Sequence, residues 1–215
     1  MKILVMGATG RTGRLLVDEA VRRGHSVVAI ARDEAKLAGS GAEVVVGSPY
    51  DATVVDRAMA GCDAVVNTLN VSRASDNPWA PLRAPKDLIS TAAQNALAVM
   101  DRHDVRRFVA LSTYGAGTSK KRAPLVLRLI VGLSNLKYAF ADHGAQEELL
   151  RASGIDYTVA RAPMLTDGAE EPLKGLAEGA NERPVSKISR RSVARYFVDI
   201  LEKGEHLREV IGLSR

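Results

Sequence analysis

The chain opens with Met1-Lys-Ile-Leu-Val-Met-Gly7-Ala-Thr-Gly10-Arg-Thr-Gly13, and this stretch, followed as far as Arg32, decides the fold. Residues 3–6 are apolar, three glycines follow, helical periodicity continues to Gly24, and residues 27–30 form a second apolar run. That order predicts a strand, a glycine-rich turn, a helix and a second, parallel strand. A β-α-β unit of this kind is the structural context in which a glycine triplet binds a dinucleotide.

Each glycine of the triplet has a separate predicted task. Gly7 allows a tight turn, Gly10 lets the backbone approach a pyrophosphate, and Gly13 permits close packing of the helix on the strand. The helix N-terminus adds unpaired N–H groups and a positive dipole end for the phosphates. We therefore expect the loop and the first helical turn to bind the cofactor through Gly7, Thr9, Gly10, Arg11, Thr12 and Gly13. The structural alternative is a glycine turn that holds no ligand.

The residue at the end of the second strand favours NADP over NAD. An NAD site usually carries Asp or Glu about 20 residues past the glycines, where it binds the ribose 2′-hydroxyl. This chain has Arg32 there, and a guanidinium can bind a 2′-phosphate through two hydrogen bonds. Asp33 follows immediately, so NAD binding through that carboxylate stays open, as does an Arg32 that is simply solvated.

The composition is that of one globular domain, and we expect residues 1–215 to form a single NAD(P)-binding unit. A predicted core strand begins at once, which leaves no room for a signal or transit peptide, and no apolar run reaches the length of a membrane span. The single cysteine, Cys62, excludes an internal disulfide and a cysteine-based metal cluster. These features predict a cytoplasmic protein, monomeric or homodimeric, without a membrane partner.

The net charge of +5 raises the question of nucleic-acid binding. The basic residues are spread along the chain, at 22–23, 106–107, 120–122 and 190–191 among others, without interleaved aromatic side chains for stacking on bases. A solvated surface and an anionic cofactor account better for the charge. The four histidines show no metal-ligand spacing. We therefore expect a small-molecule substrate, no nucleic acid and no metal.

Beyond Arg32, hydrophobic periodicity alternates between strand and helix. Strands are predicted at 43–46, 64–69, 107–111, 157–160 and 209–212, the last at a sheet edge, and helices at 33–37, 51–60, 87–103, 123–151 (interrupted near 132–135) and 190–202. An irregular stretch is expected at 163–184. The pattern predicts a Rossmann-type, doubly wound α/β fold, which is a mostly parallel sheet with helices on both faces and a small C-terminal extension.

Ligands of such sheets bind beyond the carboxyl ends of the strands. The residues just after the predicted strands therefore join the candidate cofactor site: Asn67, Thr68, Leu69, Ser112, Thr113, Ala162, Pro163 and Met164. We expect loops 70–86, 112–122 and 162–184 to form the substrate pocket. Trp79, the only tryptophan, lies in the first of these loops, either as part of a lid or as an anchor that pins the loop to the body.

The glycine loop, Gly7-Ala-Thr-Gly10-Arg-Thr-Gly13, resembles the GATGxTG signature of the atypical short-chain dehydrogenase/reductases. The passage from Glu147 to Pro163 is similar to that family's E-x-L-x-x-S-G-L-x-Y-T-x-x-R-P, and residues 188–194 resemble its I-S-R-x-D-V-A helix start. Length and layout resemble the branch that contains biliverdin-IX-beta/flavin reductases and NmrA-like NAD(P)H-binding proteins. The resemblance covers almost the whole chain and implies an NAD(P)H-binding Rossmann fold, but its motifs indicate no substrate.

The catalytic Tyr-x-x-x-Lys pair of this family is missing. Thr118 stands four residues after Tyr114, and Asp142 stands four residues after Tyr138. Spacing places His143 where many atypical members carry the lysine, and the pair Asp142-His143 matches the flavin reductase branch. The resemblance implies that His143 either contacts the nicotinamide ribose or delivers a proton; the alternative is a helix-capping histidine without a chemical role.

The leading functional hypothesis is hydride transfer from NADPH to a small conjugated or flavin-like acceptor. Its catalytic candidates are His143, Tyr114 as a second proton donor, and Ser112, which with Thr113 matches the hydroxyl residues after the family's fifth strand. Glu147 replaces a further histidine of the flavin reductase branch, so a role inferred from that histidine is not transferable. The rival hypothesis is a non-catalytic NADP(H) sensor, favoured by the missing Tyr–Lys pair. An epimerase-like enzyme is disfavoured by that absence and by the lack of a separate substrate domain.

Overall fold

A computed structural model describes residues 1–180 and 185–215 of the chain. Ten strands lie within these residues: β1 (Lys2–Met6), β2 (Ser26–Ala31), β3 (Glu43–Val46), β4 (Ala64–Asn67), β5 (Arg107–Thr113), β6 (Asp156–Ala162), β7 (Met164–Thr166), β8 (Lys174–Ala177), β9 (Lys187–Ser189) and β10 (Glu209–Ser214). Six α-helices lie between them: α1 (Arg11–Arg22), α2 (Ala52–Met59), α3 (Leu88–Met100), α4 (Leu125–Leu133), α5 (Leu136–Ala152) and α6 (Arg190–Lys203). Short 3-10 helices occupy Glu34–Leu37, Asp101–His103 and Gly117–Arg122.

Eight of these strands form one sheet in the order β3-β2-β1-β4-β5-β6-β10-β8. All neighbouring pairs run parallel except β10 and β8, which are antiparallel. The strand order reverses at β1, which has β2 on one side and β4 on the other, and a sheet of this type binds ligands at such a switch point. β7 and β9 form a separate parallel pair. The predicted doubly wound, mostly parallel fold is confirmed.

The sheet is buried on both faces because alternate side chains of its inner strands enter two different cores. In β1, Ile3 and Val5 pack in the core that contains α1 and α6, whereas Leu4 and Met6 pack in the core of α2 and α3. Parallel strands covered on both faces have continuous apolar runs rather than alternating ones. This arrangement accounts for the apolar runs that the sequence shows at each inner strand.

The C-terminal part differs from the sequence-based expectation in two ways. The strand expected at 209–212 as a sheet edge is β10, which lies between β6 and β8 and pairs with both. The stretch expected to be irregular, 163–184, contains β7 and β8, and β8 is the sheet edge; residues 181–184 lie outside the described residues. β8 reads Lys-Gly-Leu-Ala, without β-branched residues, so its strand conformation depends on pairing with β10 rather than on propensity.

The helical region expected at 123–151 is confirmed as two helices, α4 and α5, with the break at Ser134 and Asn135. None of the helices within 1–180 and 185–215 combines the length and the apolar content that crossing a bilayer requires.

Candidate functional site

The glycine loop connects β1 to α1 at the switch point of the sheet. Gly7 has φ +90°, which residues with a side chain rarely adopt, and its carbonyl oxygen accepts a hydrogen bond of 2.9 Å from the Gly10 N–H. A Cβ on Gly13 would lie 2.1 Å from the Gly7 carbonyl oxygen, so only glycine lets α1 approach β1 this closely. The predicted structural tasks of Gly7 and Gly13 are confirmed.

Gly10 differs from the other two glycines because little protein surrounds it. It is exposed, and a Cβ there would meet only the Gly7 carbonyl oxygen, at 3.1 Å. As the N-cap of α1 it brings no side-chain hydrogen bond, and the first turn contains no acidic residue. The amide groups of that turn are therefore uncapped, and together with the positive dipole end they form a cradle that suits an anion.

The remaining loop residues fall into two groups. Thr12 is buried, whereas Thr9 and Arg11 are exposed. The Arg11 guanidinium forms a salt bridge of 3.1 Å with Asp76, which belongs to loop 70–86. Both partners are exposed, so water screens the pair and it contributes little stability. Its structural effect is to connect the glycine loop with loop 70–86 across the switch point.

Arg32 and Asp33 follow β2 and have different surroundings. Arg32 is exposed, and its side chain makes no hydrogen bond or salt bridge within residues 1–180 and 185–215. The Asp33 carboxylate accepts a hydrogen bond of 3.1 Å from the Ala35 N–H and thereby caps the 3-10 helix that follows. Arg32 is thus available to an anion, while Asp33 is engaged by its own backbone.

β4 ends two residues earlier than predicted because Asn67 turns the chain. Its Oδ1 accepts a hydrogen bond of 3.1 Å from the Leu69 N–H, and its Nδ2 donates to Gln146 at 2.6 Å. The Thr68 hydroxyl donates to the Met6 carbonyl oxygen at 3.1 Å. These bonds occupy both side chains: Asn67 fixes the turn after β4, and Thr68 holds the end of β1, where the glycine loop begins. Asn67, Thr68 and Leu69 are all expected as cofactor contacts; the first two are buried and Leu69 is half-buried.

Ser112, at the carboxyl end of β5, belongs to a buried ionic cluster. Its hydroxyl donates to Glu147 Oε1 at 2.6 Å. Arg161 on β6 donates to both oxygens of the same carboxylate, from Nε at 3.1 Å and from Nη2 at 2.5 Å. A buried bidentate pair of this kind holds its members in one geometry. The Ser112 proton is therefore committed to Glu147, whereas the Ser112 oxygen can still accept a hydrogen bond.

The cluster continues toward the surface through Glu178. Arg161 Nη1 donates to Glu178 at 2.9 Å, Arg151 donates to it at 2.5 Å, and the Thr118 hydroxyl donates to it as well. Burial by itself would raise the pKa of Glu178, but these hydrogen bonds outweigh it and lower the pKa to about 2. The carboxylate thus stays ionised and completes the neutralisation of the buried Arg161 guanidinium.

Tyr114 is half-buried just after β5. Its backbone N–H donates to the Ala162 carbonyl oxygen at 2.9 Å, and its hydroxyl donates to the Arg122 carbonyl oxygen at 3.1 Å. The hydroxyl proton therefore bonds to the backbone, and this geometry does not support Tyr114 as a proton donor. At the end of β6, Ala162 is buried, Pro163 half-buried and Met164 exposed.

His143 lies in the middle of α5, which excludes the helix-capping alternative. It is buried, and its Nδ1 has no hydrogen-bond partner among the described residues. Burial lowers the pKa of the imidazole to about 4, so the ring is neutral at neutral pH. A neutral imidazole can donate one hydrogen bond and accept another, but it lacks the extra proton of a general acid. The neutral state of the ring does not support proton delivery by His143.

The polar face of α5 contains His143, the one residue of this face that the sequence predicts as a site residue, together with neighbours whose contacts the sequence does not predict. Asp142 accepts hydrogen bonds of 2.7 and 3.0 Å from two backbone N–H groups at the start of α3, and Gln146 joins Asn67 to the backbone of β5. Asp142, His143, Gln146 and Glu147 lie on the same face of α5, and all four are buried. The available signal was this helical spacing of polar side chains in a segment predicted to pack on the sheet.

Loop 70–86 is fastened at its Trp79 end to the junction of α4 and α5. The Trp79 Nε1 donates to the Leu133 carbonyl oxygen at 3.0 Å, and Asn135 Nδ2 donates to the carbonyl oxygens of Trp79 and Ala80, both at 3.1 Å. The anchor interpretation of Trp79 is confirmed. Through Asp76 and Trp79 the loop thus extends from the glycine loop to α4.

Comparison with known proteins gives one family match and a shared fold. A family profile described as NAD(P)H-binding matches residues 7–204. Photosystem II assembly factor Ycf39 of Synechocystis is 23% identical over 212 residues, which span 94% of this chain but only 59% of that protein. ChuY, an anaerobilin reductase from Escherichia coli O157:H7, has 20% identity and a TM-score of 0.81, with 100% of this chain and 97% of that chain covered.

A second solved structure, a short-chain dehydrogenase/reductase from Veillonella parvula in complex with NADP, has 18% identity and a TM-score of 0.78, covering 100% of this chain and 94% of that chain. These two likenesses concern the fold. The family profile spans nearly the whole chain, and the glycine loop has the geometry that its signature requires. The chain therefore belongs to the family of NAD(P)H-binding proteins that this profile describes.

Proposed function

We propose that this protein is an NADPH-dependent reductase that transfers hydride to a small conjugated or flavin-like acceptor. The observation that carries the cofactor preference is the contrast at the end of β2, where Arg32 has no partner among the described residues and Asp33 caps a 3-10 helix. A free guanidinium suits the 2′-phosphate, and an engaged carboxylate is a poor ligand for the NAD ribose. The NADP complex of the Veillonella neighbour, which shares this fold, supports the same choice.

Three features of the chain fit the parts of NADPH. The uncapped first turn of α1 beside Gly10 suits the pyrophosphate, and Arg32 suits the 2′-phosphate. The neutral imidazole of His143 is assigned to a ribose hydroxyl. The Ser112 oxygen, whose proton bonds to Glu147, is an acceptor for the N–H group of the carboxamide. Thr9, Arg11 and Thr113 are further cofactor contacts in this proposal.

The bound cofactor supplies the hydride, and the residues of the chain orient it and exclude water. The buried cluster of Ser112, Glu147 and Arg161 holds the end of β5 in place. His143, neutral and buried, fixes one face of the ribose without changing its own charge. Rigid support of this kind is what positions a donor carbon against an acceptor.

The state of the candidate proton donors limits the acceptor class. The protons of Ser112 and Tyr114 are bonded to Glu147 and to a backbone carbonyl oxygen, and His143 is neutral. An acceptor that takes its proton from solvent is therefore favoured, and conjugated or flavin-like molecules belong to this class. The fold shared with ChuY, named as an anaerobilin reductase, supports a conjugated acceptor.

The experiment is NADPH oxidation measured against a panel of flavins, quinones and linear tetrapyrroles, with calorimetric titration of NADPH and NADH in parallel. The proposal expects tighter binding of NADPH than of NADH, and turnover with at least one acceptor. Turnover should not depend on a protein group that titrates near pH 6.5, the ordinary histidine pKa. Preference for NADH would contradict the cofactor assignment.

A second candidate function is a non-catalytic NADP(H) sensor. The observation that favours it is the absence of Tyr-x-x-x-Lys together with the engaged protons of Ser112 and Tyr114. In this alternative, cofactor binding at Arg11 competes with its salt bridge to Asp76 and frees the Asp76 end of loop 70–86 to contact a partner. Tight NADPH binding without turnover across the whole panel would favour the sensor over the reductase.

A further inference from the structure

α4 carries an exposed apolar face that the cofactor site does not use. The helix is nine residues long and contains no buried residue. Five of its apolar side chains are exposed: Leu125, Val126, Leu129, Ile130 and Leu133. Their spacing places them along one stripe of the helix. Trp79, whose side chain is also exposed and whose Nε1 bonds to the Leu133 carbonyl oxygen, extends the stripe, and we call these six side chains the α4 face.

The surroundings of the α4 face are basic. Residues 105–141 contain no aspartate or glutamate, and exposed lysines and arginines stand at 120, 121, 122, 128 and 137. Within the described parts of the chain, the side chains of Lys120, Lys121 and Arg128 make no salt bridge. The first carboxylate of α5, Asp142, is buried and bonded to the backbone of α3. The apolar stripe is therefore flanked by cations that pair with no carboxylate of residues 1–180 and 185–215.

We propose that the α4 face binds the surface of an anionic lipid bilayer. A helix that lies in the bilayer interface presents an apolar stripe to the acyl chains and lysines or arginines to the phosphate headgroups. Tryptophan is enriched at the same depth because its ring is apolar and its N–H is polar. This mode of binding needs no spanning helix. The proposal therefore replaces the sequence-based expectation of no membrane partner by binding at the membrane surface only.

A second copy of the chain is the poorer occupant of this face. A two-fold interface would place the same patch on both subunits, so the cations beside each stripe would face one another. Like charges at an interface repel, whereas anionic headgroups attract all five positions at once. Charge complementarity therefore favours an anionic bilayer over a second copy of the chain as the partner of the α4 face.

Vesicle flotation of the full chain tests the proposal, with phosphatidylcholine vesicles compared with vesicles that also contain phosphatidylglycerol. One variant combines Leu129→Ser with Leu133→Ser, and a second combines Lys120→Gln with Lys121→Gln. Matched controls are Leu207→Ser, an exposed leucine elsewhere, and the pair Lys36→Gln with Lys203→Gln, which removes the same charge outside the face. Because Trp79 is the only tryptophan, its fluorescence reports directly on the face, and brominated lipids measure its depth.

We expect the wild type to bind the anionic vesicles at least tenfold more tightly than the neutral ones, with a blue shift of the Trp79 emission. Each lysine near an anionic surface contributes about fivefold in affinity, so the lysine pair should cost roughly 25-fold. The Leu129→Ser, Leu133→Ser variant should bind the anionic vesicles at least tenfold more weakly than the wild type, and both controls should bind as the wild type does. NADPH affinity of the leucine pair in solution should be unchanged, so this test is independent of the proposed function.

Two results would overturn the proposal. One is vesicle binding that does not depend on the charge and the apolar stripe of the α4 face, seen either as equal binding to neutral and anionic vesicles or as controls that lose as much affinity as the variants. The other is a dimer in sedimentation equilibrium that dissociates in the Leu129→Ser, Leu133→Ser variant while no vesicle binding occurs, which would make the α4 face a contact between copies of the chain.

Discussion

Arg32→Ala should lower the affinity for NADPH much more than the affinity for NADH. A hydrogen bond to a charged group contributes about 1.5–3 kcal/mol, which corresponds to roughly 10- to 150-fold in the dissociation constant. Only NADPH carries the phosphate that Arg32 would bind, so the ratio of the two affinities should change by that factor. Because Arg32 is exposed and has no partner within the described residues, the variant should unfold at the wild-type temperature.

The matched control is Asp33→Ala at the neighbouring position. Its carboxylate caps a 3-10 helix, so this change should cost about 1 kcal/mol of unfolding free energy and leave the cofactor ratio unchanged. Calorimetric titration of both cofactors and thermal unfolding of both variants measure the two effects separately. Equal losses for NADPH and NADH in Arg32→Ala would refute the phosphate contact. A changed cofactor ratio in Asp33→Ala would assign the ribose to that carboxylate instead.

Three further predictions concern the rest of the site. Gly10→Val should abolish NADPH binding, because its side chain would block the approach of the pyrophosphate, and should stay folded, because its Cβ meets one atom at 3.1 Å. Gly13→Val should instead destabilise the fold, because its Cβ would lie 2.1 Å from a carbonyl oxygen. Titration with NADPH and thermal unfolding compare the two variants, and unchanged NADPH affinity in folded Gly10→Val would mean that the cofactor binds elsewhere. Glu147→Gln should lower the free energy of unfolding by about 3–5 kcal/mol, as measured with urea, because Arg161 loses its buried counter-charge; a value near zero would mean that the pair is dispensable. The free energy of unfolding of the wild type should fall by up to about 3 kcal/mol as the pH falls from 6.5 to 4, because His143 binds a proton in the unfolded chain that the buried ring does not. His143→Gln should lack this pH-dependent loss of stability and should also bind NADPH more weakly. An identical pH profile of stability in the variant would contradict the burial argument.

The structural roles of Gly7 and Gly13 could be predicted from sequence because they depend on backbone conformation and close approach within one β-α-β unit. The same holds for the interruption between α4 and α5, where local helix propensity ends. The apolar pattern predicts a β4 that is two residues too long, because the turn made by Asn67 depends on its own side chain and on Gln146, 79 residues further along the chain. Only the folded chain brings those two amides together.

The sequence by itself determined the β-α-β unit, the doubly wound sheet and the cofactor class, because hydrophobic periodicity and glycine spacing act over a few residues. Only the tertiary structure decided the state of the candidate catalytic groups. The Ser112 proton bonds to Glu147, 35 residues away, and the low pKa of His143 comes from burial by elements far from it in the chain. Propensity likewise did not predict that Lys174–Ala177 forms the sheet edge, because its conformation depends on pairing with β10. Charge state, proton position and edge pairing depend on contacts between residues that are far apart in the chain. Hydrophobic periodicity and glycine spacing do not predict which distant residues will make those contacts.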